Sequence, residues 1–236
     1  MLNQNIGFAK LFFVNLHRKK TNWKENLFIL LRLLSCPFAS VMDVIPKKGK
    51  VLDLGCGHGI LSLCLSFKYP KLKAFAIDPD KRKIAWIKKI KLDNLEVFCG
   101  IVDSKFAKRF ADFFDTIVVV DVFYLLPDKE KLELLKQLKK LLRQKNSARL
   151  ILKINGKSRG AAYSWLKFQE KIMQRVLGLT HSKYKRSFFA PPSRYQELLK
   201  KAGFRVFKTK RVCSILPYPH FLLVAGHSNF SKKLRS

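Results

Sequence analysis

The sequence predicts an α/β protein: one doubly wound, seven-stranded sheet, mostly parallel, with a C-terminal antiparallel hairpin. Three observations carry this. Short β-prone runs alternate with helical patterns from about residue 50 onward, the order of repeated βαβ units. Phe114–Asp121 is apolar on both faces, as a central parallel strand must be. The alternation then ends: Arg205–Val212 and Phe221–Gly226 follow each other across a turn holding Pro217 and Pro219, so they pair antiparallel.

The first unit is the most informative. Val51-Leu52-Asp53-Leu54 reads as a strand, Gly55, Gly57 and Gly59 as a tight turn, and Ile60, Leu61, Leu63 and Leu65 as the start of a helix. Glycines let the backbone turn sharply and let a ligand lie against it. The following helix N-terminus offers N–H groups to that ligand. A phosphate-cradling P-loop is excluded, because Ile60-Leu61 stands where Lys-Ser/Thr is required. The dinucleotide fingerprint is excluded too, since the spacing is G-x-G-x-G and Asp53 would repel a pyrophosphate. An acid there suits a zwitterionic or cationic ligand.

The later elements follow in order. Lys73–Asp78 is a second strand ending in an acid, about twenty residues past the loop, the spacing that offers a carboxylate to a ribose diol. Asp80 is the better cap for a helix over Lys81–Leu92, which leaves Asp78 for the diol. Leu95–Phe98 is the third strand. Asp103 either contacts a ligand or caps a helix over Ser104–Phe110. After Phe114–Asp121 come a helix over Lys129–Leu142, a fifth strand at Arg149–Ile154, and a helix over Ser193–Ala202 with Gly203 as its C-cap.

Asp53-x-Gly55-x-Gly57-x-Gly59 resembles motif I of the class I S-adenosylmethionine-dependent methyltransferases, and the resemblance extends over residues 45–226. It implies a Rossmann-like fold, S-adenosyl-L-methionine as cofactor, and transferase activity. The implied cofactor-binding residues are Asp53, Gly55, Cys56, Gly57, Gly59, Asp78, Pro79, Val102, Asp103 and Asp121, with Asp78 on the ribose and Asp103 near the adenine. Asp121 and Tyr124 follow the fourth strand, where family members place residues near the methyl group. His220, beside Tyr218, lies in a late turn of the kind that folds over the site. These three are the candidate catalytic residues, each with a structural alternative: a backbone-capping acid, a packed ring and a hairpin histidine. His58 is read as lining the cofactor's methionine end. Gly-Cys-Gly-His-Gly, Asp-Val-Phe-Tyr-Leu-Leu and the late Tyr-Pro-His also look like small bacterial methyltransferases of fatty-acid-like or polyene pathways.

Composition sets the remaining expectations. The 236 residues divide into a helical arm (1–44), the methyltransferase domain (45–226) with an insertion (155–192), and a basic tail (227–236). Five cysteines form no C-x-x-C pair, which reads as reduced thiols in a cytoplasmic protein with no metal site. The apolar pieces Leu11–Val14 and Leu27–Leu31 fall short of the roughly 18 apolar residues of a membrane span, and no signal peptide is evident. Ile6–Leu34 is amphipathic, either an arm over the cofactor site or a helix lying in a membrane interface.

Lys and Arg number 48 against 16 acids, a net charge of +32. Such a field attracts nucleic acid, anionic lipid or an acidic carrier protein, though the composition also matches the drift of an AT-rich genome. Lys outnumbers Arg, which favours lipid over nucleic acid. The insertion Asn155–Pro192, with a helix around Ala161–Leu177 and the basic-aromatic run His181–Phe189, is expected to select the acceptor. Three functions follow, in this order: a methyltransferase for a small or lipid-like acceptor, peripheral at a membrane or served by a carrier; an RNA methyltransferase; and a non-catalytic binding module. Asp121-Val122-Phe123-Tyr124 lacks the prolines typical of adenine amino-group methylation, which sets RNA second.

Overall fold

A computed structural model describes residues 29–33, 35–156, 184, 187–214 and 219–228. Its elements are α1 (Phe38–Met42), β1 (Gly49–Leu54), α2 (Ile60–Lys68), β2 (Leu72–Asp78), α3 (Lys81–Lys88), β3 (Leu95–Cys99), α4 (Ser104–Arg109), β4 (Thr116–Val120), α5 (Asp128–Leu141), β5 (Arg149–Asn155), α6 (Pro192–Lys201), β6 (Phe204–Val212) and β7 (His220–His227). Residues 29–33 are also helical. The strands form one sheet in the order β3-β2-β1-β4-β5-β7-β6. Pairing is parallel from β3 through β5 and antiparallel at β5–β7 and β6–β7, as the alternation of patterns predicts.

Strand side chains alternate between two cores, the consequence of a two-residue period. Leu52, Leu54, Phe75, Ile77, Ile117, Val119, Leu150 and Leu152 pack against α4, α5 and α6. Val51, Ala74, Val118, Val120 and Ile151 pack against α1, α2 and α3. Phe75 anchors the first core, with Phe98, Phe110, Phe113 and Phe114 within 6.4 Å, mostly edge to face. Because β1 and β4 lie side by side while their neighbours run outward, their carboxyl ends flank the reversal of strand order where open α/β sheets bind ligands.

Most boundaries shift by a residue or two, and two of the shifts have a visible cause. The helix after β2 stops at Lys88 instead of Leu92. Asn94 pins the connection by donating its side-chain amide to the carbonyls of Ser66, Tyr69 and Leu72 at 3.0–3.4 Å, and a short turn serves those bonds. The fourth strand is Thr116–Val120, not Phe114–Asp121. Phe114 bridges Leu142 outside the strand, and Asp121 leaves it in the left-handed region at φ 54°. Most of the insertion, including the helix expected at Ala161–Leu177, residues 1–28 and 34 of the N-terminal arm and residues 229–236 of the basic tail lie outside the described residues. No described helix is long and apolar enough to cross a membrane.

Candidate active site

The glycine turn leaves β1 and enters α2, and each glycine is there for its own reason. A side chain at Gly55 would meet Val122 at 2.4 Å, and one at Gly59 would meet Ile87 at 2.9 Å. At Gly57 no described residue lies within 4 Å of where a Cβ would stand, and φ is +56°. Gly57 therefore opens onto space at the loop's surface, as a cofactor cradle requires. The loop's own donors are largely engaged: Gly55 and Cys56 donate to the Ile77 carbonyl, and Gly57 donates to Asp78 Oδ2 at 2.9 Å.

Asp78 thus does more than the sequence suggests. It is not left unengaged by the capping role of Asp80, because its second oxygen accepts from the Asp80 backbone at 2.9 Å. Two backbone bonds fix the carboxylate at the lip of the turn, and an ionised carboxylate has further lone pairs for a diol. Asp80 caps α3 as expected, accepting from Arg82 and Lys83, and Pro79 is exposed between the two acids. Asp103 caps α4 through the Phe106 backbone, and Val102 is packed in the first core.

Asp53 is 3% exposed and accepts from the Ser62 hydroxyl at 2.6 Å. Burial pushes its carboxyl up to about 6, against the pull of the Ser62 hydrogen bond, and the nearby Asp78 charge adds to the rise. Arg32 pulls the other way, but not enough to bring the carboxyl back to its ordinary range.

Beyond β4 the structure assembles a charged cluster that no sequence motif announces. Lys153 of β5, 2% exposed, donates to both oxygens of Asp121 at 2.7 and 2.8 Å and to Asn155 Oδ1 at 2.7 Å. Arg32, from the helical residues before α1, reaches the same carboxylate at 2.8 Å. Burial opposes ionisation of Asp121, but Lys153 and then Arg32 hold its carboxyl below the usual range. Arg32 and Lys153 were not singled out by the sequence, since a lone Arg and a lone Lys carry no signal among 48.

The other sequence candidates separate. Tyr124 is buried, its ring stacked on Phe189 at 4.8 Å and its carbonyl accepting from the Phe188 backbone, so it anchors the chain returning from the insertion. His220 opens β7 and shares a 2.6 Å hydrogen bond with the Ser214 hydroxyl. Burial, with Lys153 adding to it, lowers its imidazole to about 3. His58 packs edge-on against Trp86 at 6.3 Å, and burial takes it to about 3 as well. Tyr218 lies outside the described residues. Among the described residues no cluster of three or more His, Cys, Asp or Glu is placed to hold a metal.

The two neutral imidazoles make the fold acid-sensitive. Their folded values lie below the ordinary 6.5, so their stabilisation is complete above that pH and is lost as pH falls toward 3. Asp53 acts in the opposite sense between about 6 and 3.8 and offsets one of the two. Denaturant unfolding at about pH 5 is expected to show a lower midpoint than at about pH 7, and His220→Gln to flatten the loss by up to about 1.4 kcal/mol per pH unit. A wild-type midpoint unchanged between the two would contradict buried neutral histidines.

A glycine turn after β1, a fixed acid ending β2 and this strand order define a class I S-adenosylmethionine-dependent methyltransferase. The chain belongs to the methyltransferase-domain family, whose model matches residues 28–209. In sequence it is 32% identical over 84 residues to the ribosomal RNA small subunit methyltransferase G of Thermobifida fusca, a match covering 34% of this chain and 35% of that protein. The chain thus spans about a third of that curated relative's length. In structure it resembles the magnesium protoporphyrin IX methyltransferase of Synechocystis with bound SAH (TM-score 0.58, 20% identity, 81% of this chain and 80% of that one). It also resembles human N-acetylserotonin methyltransferase in complex with SAM (TM-score 0.62, 18% identity, 87% and 55%).

Proposed function

We propose that the protein transfers a methyl group to a small or lipid-like acceptor that arrives as a ready nucleophile. The state of the described side chains at the mouth carries this reading. Asp121 is neutralised by two cations, His220 and His58 are held as weakly basic neutral rings, and Tyr124 is stacked and buried. None of them stands ready to take a proton from a hydroxyl. Bound S-adenosylmethionine supplies a methyl already activated on a sulfonium. An acceptor offering a lone pair or an electron-rich carbon then needs positioning more than base catalysis.

In this reading Asp53 faces the cofactor's amino-acid end, Gly57 its path along the loop, and Asp78 its ribose, while Asp103 sits toward the adenine. Asp121 is a positioning residue: it fixes Arg32 and Lys153 at the mouth. The Tyr124–Phe189 pair offers an apolar wall there, which favours a lipid-like or aromatic acceptor. The net charge of +32 supports a cytoplasmic enzyme that meets its acceptor at an anionic membrane or on an acidic carrier. A second reading, an RNA methyltransferase, is favoured by the 32% identity to a ribosomal RNA methyltransferase.

Calorimetry with S-adenosylmethionine and S-adenosylhomocysteine tests the cofactor assignment. Gly57→Val is expected to abolish the heat of binding, since its side chain would enter the open space above the loop and φ +56° adds about 1–2 kcal/mol of strain. Absence of heat with the wild type would sink the assignment. Transfer of a labelled methyl to lipid, RNA or small-molecule fractions then separates the acceptor readings, and label confined to RNA would reverse their order.

A further inference from the structure

The exposed edge of the sheet carries a feature that methyl transfer does not use. β6 is the last strand, and its register against β7 slips once: Val206 pairs with Ala225 and Lys208 with Val224, leaving Phe207 as an extra residue. Such a bulge changes which side chains share a face. Gly226, Val224 and Leu222 alternate along β7 and so point to one side, and their partners Arg205, Lys208 and Lys210 point there too. Phe207 joins them, because its ring lies 2.9 Å from where a Cβ on Gly226 would stand. The bulge therefore puts three cations and an aromatic ring on one face. All four residues are exposed, and Phe204–Val212 contains no acid.

That face belongs to the side of the sheet covered farther in by α1, α2 and α3, since Val224 and Leu222 share a core with Ile29, Cys36 and Phe38. The helical residues 29–33 pack on the same side, and they carry Leu30 and Leu31, two of the four large apolar side chains most exposed among the described residues; Phe207 is a third. Cations and apolar tips are thus gathered on one side of the molecule. A polyanionic strand would find charge there but a single ring for stacking. A lipid surface uses both features, attracting the cations and receiving the apolar tips.

We infer that the Arg205–Phe207–Lys208–Lys210 face is a docking surface for an anionic membrane. The inference deepens the proposed meeting of enzyme and acceptor at an anionic membrane by naming the surface that docks, and it requires no particular acceptor. Arg205, Lys208 and Lys210 supply the attraction that salt screens, and Phe207 with Leu30 and Leu31 supplies the part that salt does not.

The test is co-sedimentation of the full chain with vesicles of phosphatidylcholine containing phosphatidylglycerol, and with phosphatidylcholine alone. The wild type is expected to bind the first and not the second. R205Q/K208Q/K210Q is expected to weaken binding by roughly a hundred-fold, near five-fold for each residue. K108Q/K140Q/K200Q removes the same charge from α4, α5 and α6 on the other side and is expected to retain most of it. F207S is expected to bind at low salt and release at near-physiological salt, where the wild type stays bound. Circular dichroism confirms that each variant is folded. Equal losses from the two triple variants would overturn the inference, leaving only the diffuse field of the net charge. Binding to a single-stranded RNA oligonucleotide through these residues, without binding to vesicles, would overturn it in favour of nucleic acid. The readout needs no turnover, so either result leaves the acceptor reading to its own test.

Discussion

Asp121→Leu is expected to cost about 3–5 kcal/mol of folding stability, the scale for removing one partner of a buried ion pair. The substitution strands Lys153, which is 2% exposed and among the described residues keeps only Asn155 Oδ1, beside a second cation at Arg32. The loss comes from that uncompensated charge more than from the missing attraction. A double variant, Asp121→Leu with Lys153→Met, is therefore expected to recover a large part of it, because an apolar pair of similar size has nothing to desolvate. Denaturant unfolding of the wild type, the two single variants and the double variant closes the cycle. A single-variant loss below about 1 kcal/mol, or a double variant no better than Asp121→Leu, would show that the cluster is solvated. Left-handed Asp121, at φ 54°, points the same way: a non-glycine residue is held there only when its surroundings over-determine it.

Asp53→Asn is expected to stabilise the empty protein while weakening the cofactor complex. The Asp53 carboxyl titrates at about 6 in the fold against an ordinary 3.8, so folding favours its protonated form. The sign follows from that difference. Below pH 3.8 the group costs nothing, the cost grows as pH rises to 6, and above 6 it is fully present, on the order of 3 kcal/mol at about 1.4 kcal/mol per pH unit. Asn removes the charge and can still accept from Ser62. Its thermal midpoint should exceed that of the wild type at neutral pH and match it under acid conditions. Cofactor affinity should fall by tenfold or more, the scale of one charge-assisted contact. A variant that gained no stability at neutral pH would mean that water reaches Asp53. One that bound S-adenosylmethionine as tightly as the wild type would remove the carboxylate from the cofactor site. The expected gain in stability and the expected loss of affinity together would mean that stability and function oppose each other at this residue.

The glycine turn and the acids beside it were legible in the sequence because their signals are local. Asp53, Gly55, Gly57 and Gly59 lie within seven consecutive residues on a strand, a turn and a helix start, and Asp78 ends the next strand. The same locality made the order of the elements readable, and Asp80 was identified as a cap from its own neighbours. Strand and helix ends were less legible. Asn94 shortens α3 through carbonyls more than twenty residues away, and the departure of Asp121 from β4 depends on ion partners contributed by other elements.

The sequence by itself determined the class of fold, the glycine turn after β1 and the acid at the end of β2, because each rests on periodicity or on spacing along the chain. Only the tertiary structure decided what Asp121 does. Arg32 and Lys153 are 121 positions apart, and neither stands out among 48 basic residues until the sheet brings both to one carboxylate. It likewise decided which face Phe207 shares with Arg205, Lys208 and Lys210, because a bulge is a relation between two strands and is not written in either one alone. Charge pairing, burial and register depend on distances across the fold, whereas turn chemistry and hydrophobic period depend on neighbours in the chain.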